Sequence, residues 1–201
     1  MKKTLIILFC SLVLFSCDQG PSIKDFKIEG IGLGDSLLDF FSEKEINDNI
    51  RQDAYIGSDG KFTDAGFLYF SSFKEYDGLQ IVFKPNDKTY KVYAIMGTIF
   101  YGYNIDECYQ KQKEWDSKIT SEFVDIFREE DLKIPYPQSN MGSSNYSSVR
   151  FSLGPDSDFQ INLTCYDWDN DLLNSQDYFQ IGIDNIEYII WNEDYHSNQT
   201  N

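Results

Sequence analysis

Histidine is nearly absent from this 201-residue chain, which has one, and alanine is scarce, with three. Metal sites built on several histidines are therefore excluded, and any histidine-based catalysis would have to use His196. Basic residues are also short: 17 Lys plus Arg stand against 33 Asp plus Glu, a net charge of -16. Nucleic acid is not an expected partner, because phosphate binding draws its affinity from clustered Lys and Arg. The one long apolar run, Leu5 to Phe15, is too short to cross a bilayer as a helix. The chain as a whole is 25% charged and 41% hydrophobic, the make-up of a folded, soluble single domain rather than a disordered chain.

Lys2 and Lys3 precede that apolar run, and this order of charge then apolar residues reads as a secretory signal over residues 1–16. The run ends in Leu14-Phe15-Ser16-Cys17, which resembles the bacterial lipobox, with Phe15 larger than the residue usual at its position. That resemblance implies lipidation of Cys17, a tether over 17–25, and a single domain over 26–201 held at a membrane face by its acyl chains. The expected location is the cell envelope, facing the periplasm or the exterior, and simple secretion is the alternative. Removing residues 1–16 takes away two Lys and no acid, so 15 basic groups face 33 acidic ones and the charge becomes -18. Such a surface repels anionic headgroups, which leaves attachment to the lipid.

Cys10 departs with the signal and Cys17 takes the lipid, leaving Cys108 and Cys165 in an oxidising compartment. Cys108 shares a helical stripe with Trp115, Ile119, Phe123 and Ile126. Cys165 closes the alternating series Phe159, Ile161, Leu163, as on a strand with one buried face. Both thiols thus point inward, and a disulfide between them is expected, with two buried free thiols as the alternative.

Capping-box spacings at Ser36/Asp39 and Ser42/Glu45 predict two short helical pieces between 36 and 50. Residues 53–66 read as a loop, followed by strands over 67–73, 79–84 and 89–99 whose short turns require an antiparallel meander. A long helix over 105–130 and a Pro, Ser, Asn and Gly-rich loop over 133–147 lead to strands near 148–153, 158–166 and 177–183. Asp184 and Glu187 stand at capping spacing ahead of a closing helix through Tyr195. The expected fold is α+β: two successive helix-strand-strand-strand units merging into one antiparallel sheet, helices packed on one face and the other face open. This layout is similar to the tandem helix-plus-three-strand domains of the beta-lactamase-inhibitor-like type. The opening Gly32-Leu33-Gly34-Asp35-Ser36-Leu37-Leu38-Asp39-Phe40-Phe41 resembles that of uncharacterised bacterial exported lipoproteins, a family that lends no activity.

Gly34-Asp35-Ser36-Leu37 also resembles the nucleophile block of the GDSL esterases, and Glu193 with His196 repeats the spacing of that family's late base pair. A serine hydrolase using Ser36 and His196 is one alternative, against which stands a plain helix cap at Ser36 and the lack of a Gly-x-Asn-Asp block. Asp167, Asp169 and Asp171 open like a calcium loop, although Leu172 replaces the turn glycine and Tyr178 the closing glutamate. A calcium-dependent binder is the other alternative. Tyr101, Tyr103, Tyr136 and Tyr146 lie among Gly, Pro and Asn, where a ring can meet a protein or a glycan. The leading expectation is a non-enzymatic binding or assembly module, without cofactor, that engages a protein or polymer through the open sheet face or these tyrosines.

Overall fold

The computed structural model describes residues 23–51, 60–136, 141–169, 171 and 175–199, with side chains through Tyr195. The signal segment 1–16 and Cys17 lie outside the described residues. Two 3-10 turns, η1 (Ile23–Asp25) and η2 (Leu37–Asp39), and a short helix α1 (Glu43–Asp48) precede the sheet. Ile23 is already buried, so packing starts ahead of Phe26. The remaining elements are β1 (Thr63–Leu68), β2 (Gly78–Phe83), β3 (Ala94–Phe100), α2 (Ile105–Glu122), β4 (Phe127–Pro135), β5 (Asn145–Ser152), β6 (Phe159–Asp167), β7 (Tyr178–Asn185) and α3 (Ile186–Gln199). All seven strands form one antiparallel sheet in the order β1-β2-β3-β7-β6-β5-β4, so two meanders join where β3 meets β7.

Strand periodicity sorts the side chains onto two faces. The inner face carries Phe67, Leu79, Ile81, Ile95, Ile183, Ile161 and Phe151, and these pack with Leu37, Ile46, Trp115 and Ile119 into the main core. Helix α2 lies across β6 and β7 on this face, joined to β6 by the Cys108–Cys165 disulfide with its Cα atoms 5.9 Å apart. Gln112, buried on the same helix, donates from Nε2 to the carbonyls of Ser147 (2.8 Å) and Leu163 (2.9 Å), tying α2 to β5 and β6. On the outer face α3 turns back and packs Tyr188 and Trp191 against Phe62, Val82 and Ala94.

The α+β class and the single antiparallel sheet match the expectation; several elements differ in extent. The helix expected to reach 130 ends at Glu122, where Phe123 turns extended with its apolar ring still buried. Phe123 and Ile126 hold helical spacing yet pack on the core from a non-helical link. Residues 127–135, expected as the end of that helix and the start of a loop, form strand β4, and the second unit therefore has four strands. Of the nine residues of β4 seven are exposed and five are charged, so burial does not alternate along it; it is a sheet edge guarded by charge, with Arg128 paired to Asp116 and Arg150 to Asp131. Strand β1 begins at Thr63, inside the expected loop, because Ala65 and Phe67 fit the core although Asp64 and Gly66 disfavour a strand. Helix α3, finally, covers part of the face expected to be open.

Candidate binding face

By register, Leu68, Gly78, Phe100, Tyr178, Tyr166 and Tyr146 lie toward one end of the sheet, here its upper end. Thr63, Phe83, Ala94, Asn185 and Phe159 lie at the lower end. Helix α3 starts at the lower end and covers that part of the outer face, leaving the upper part to solvent and to the loops that follow β1, β3, β4 and β6.

The upper outer face is organised in rows. Phe100 is directly opposite Tyr178, Tyr178 opposite Tyr166, and Tyr166 opposite Tyr146, so four neighbouring strands place an aromatic ring at one level. Their centroids are 6.0, 4.6 and 6.4 Å apart. Loop residues extend the row: Tyr69 sits 6.3 Å from Phe100, and Trp168 stacks on Tyr166 at 5.7 Å with planes 7° apart. Tyr136 completes it, 5.0 Å from Trp168 and 6.4 Å from Tyr146. Cross-strand aromatic contacts of this kind stabilise the sheet by about 0.5–1.5 kcal/mol each beyond their burial. Burial raises the Tyr166 and Tyr178 hydroxyls well above the ordinary phenol range, so both remain neutral donors at physiological pH.

One level lower, the register aligns Thr98, Gln180, Thr164 and Ser148, all polar and uncharged. Two grooves meet at Gln180. The larger, about 390 Å³, runs between Arg51, Leu68, Gln80, Phe100 and Tyr178. The smaller, about 220 Å³, is bounded by Asn162, Thr164, Tyr166, Asp184 and, from α3, Asn192. Gly182 forms part of its floor, where a Cβ would approach Met96 Cγ to 2.9 Å. Arg51 Nη1 lies 3.4 Å from the fully buried Asp64, whose carboxylate also accepts from Gln80 Nε2 at 2.8 Å. Asp184 accepts from Asn162 Nδ2 at 2.6 Å, while its Oδ1 is buried without a hydrogen-bond partner. Burial pushes the Asp184 carboxyl up to about 7, with the Asn162 bond acting in the opposite direction.

The residues singled out from sequence separate clearly. Tyr136 and Tyr146 belong to the aromatic row. Tyr101 packs partly into the main core, and Tyr103, 64% exposed, follows it in the loop ahead of α2. Ser36 caps η2: its Oγ accepts from the Leu38 amide at 3.3 Å and donates to the Thr89 carbonyl at 2.6 Å. Ser36 stands on the segment that fills the main core, whereas His196 belongs to α3 on the outer face; its side chain lies outside the described residues. Asp167 accepts from Asn145 Nδ2 at 3.0 Å, Asp169 accepts from the Ser143 amide and hydroxyl at 2.9 and 3.0 Å, and Asp171 is exposed. Among the described residues no cluster of three or more His, Cys, Asp or Glu is arranged to hold a metal ion. Leu172 lies outside the described residues.

Sequence reasoning missed Phe100, Tyr166, Trp168, Tyr178 and Tyr69. The available signal was parity: if Phe159 to Cys165 face inward at odd positions, Tyr166 faces outward. Comparison with protein-family models, with curated proteins and with solved structures finds no match.

Proposed function

We propose that this chain is a lipid-anchored protein of the cell envelope that binds a partner non-covalently on the upper outer face of its sheet. The observation that carries the reading is the aromatic row Phe100, Tyr178, Tyr166 and Tyr146, extended by Trp168. Rings held at one level beside two concave grooves, the larger mostly apolar and the smaller mostly polar with fixed amides, suit recognition rather than covalent chemistry. The anchor end supports the same reading. Lys24 lies 5.8 Å from the Phe159 ring, so the chain enters the domain at the lower end, a few residues after Cys17. A lipid on Cys17 would direct the aromatic row away from the membrane.

Two measurements test the two halves of the proposal. Cells fed a labelled fatty acid should incorporate it into the wild-type protein and not into Cys17→Ser; incorporation into neither would remove the anchor. A photo-reactive phenylalanine replacing Tyr146 should form an adduct in native envelopes, while one replacing the exposed Ser117 of α2 should not. Equal adducts at both positions, or none at either, would remove the binding face.

A further inference from the structure

We infer that the occupant of this face is a neutral glycan chain, lying across the strands along the aromatic row. The inference rests on the binding-face reading above and specifies its ligand class. Its first ground is repeat length. Antiparallel strands are spaced about 4.8 Å apart, so a ligand crossing them meets one side chain of each row per strand. A chain of pyranose sugars advances about one ring per such step.

Chemistry is the second ground. The electron-rich face of a Tyr or Trp ring attracts the weakly positive C–H face of a sugar. Tyr166 and Tyr178 supply such rings to the two grooves, with Trp168 stacked beside Tyr166, while Gln180 and Thr164 one level below, with Asn162 beyond them, supply hydrogen bonds suited to hydroxyls. Charge is the third. Among the described residues lining the two grooves the one cation is Arg51, and Asp64 neutralises it. The one acid, Asp184, has its carboxyl pushed up to about 7 by burial, so it carries only part of a negative charge at neutral pH. With no uncompensated cation the groove does not select a polyanion, and with no strong anion it does not select a basic peptide. Shape is the fourth: α3 walls the lower side through Tyr188 and Asn192, so a flat protein surface meets the wall before the floor, and a narrow chain reaches it.

The test uses the full chain purified in detergent and titrated with neutral hexasaccharides of glucose, mannose, xylose and N-acetylglucosamine, followed by calorimetry and by tryptophan fluorescence. At least one hexasaccharide should bind with a dissociation constant below about 1 mM, and the affinity should fall by about tenfold or more in Trp168→Ala and in Gln180→Ala. Tyr103→Ala, outside the row, should bind as wild type. Raising the salt concentration should leave the affinity unchanged, since the ligand carries no charge. Circular dichroism of each variant confirms that it is folded, and Gln180→Ala, which removes no ring, guards against a loss caused by repacking. Binding that survives both variants, binding abolished by salt, or the absence of binding across the panel would overturn the glycan. In the last case a protein adduct at position 146 in native envelopes would keep the binding face and replace its ligand, while no adduct there would remove both.

Discussion

At the scale of single residues, the groups that sequence motifs advertise and the groups that matter to the fold are mostly different ones. Glu29 belongs to no motif, yet its Oε1 accepts from the amides of Lys74, Glu75 and Tyr76 at 2.8, 2.7 and 3.4 Å, closing the loop between β1 and β2 onto the N-terminal segment. Removing the acceptor leaves three donors to find water, so Glu29→Ala should lower stability by about 1–3 kcal/mol in chemical denaturation, and Glu29→Gln, which keeps one carbonyl oxygen, by less. Asp184 gives a pH-dependent prediction. Its folded value of about 7 stands above the ordinary 3.8, so the folded state retains a proton that the unfolded chain has lost. Its contribution is therefore most favourable below pH 4, declines as pH rises toward 7, and is constant above that. Asp184→Asn should leave the melting temperature nearly unchanged at pH 4 and raise it at pH 8, a gain on the order of 2 kcal/mol once the residue's partial exposure is discounted. An equal shift at both pH values would show that the carboxylate is not desolvated.

At the scale of elements, the legible ones have local signals. Ser42 and Glu45 form the capping box their spacing implies, with the Ser42 amide donating to Glu45 Oε2 at 2.8 Å. The start of α3 shows how little such spacing settles by itself: Asn185 Oδ1 accepts from the Glu187 amide at 2.8 Å, while Asp184, also at capping distance, faces the groove. Strand β4 had no local signal, because Glu129, Glu130 and Asp131 follow one another without alternation and it becomes a strand by pairing with β5. The disulfide was legible from two periodicities, the helical stripe of Cys108 and the strand parity of Cys165. It closes a loop of sequence separation 57, and in the chain-entropy model the double variant Cys108→Ala/Cys165→Ala should lose about 4 kcal/mol, measured as a lower urea midpoint. Trp191→Ala should cost about 3 kcal/mol and loosen α3, since that ring packs on Phe62 at 5.1 Å and on Tyr195 at 5.4 Å.

At the scale of the whole molecule, one sheet carries two environments. Its inner face is sealed by α2 and the N-terminal segment, and its outer face is divided between α3 below and the aromatic row above. The seam between the two meanders runs along β3 and β7, each paired on both sides. Amide hydrogen exchange should therefore be slowest in β3, β7 and β6 and fastest in the edge strand β4, with exchange in β3 and β7 limited by global unfolding. Unequal protection of β3 and β7 would mean that the two meanders open separately.

The sequence by itself determined the α+β class, the antiparallel meanders, the inward aim of both cysteines, and the exclusion of histidine clusters, since each follows from composition or from a period read within one segment. Tertiary structure alone decided the register that brings Phe100, Tyr178, Tyr166 and Tyr146 to one level, the strand character of β4 and the outer-face position of α3. These depend on residues far apart in the chain meeting across strands, and such meetings leave no period in any single stretch of sequence.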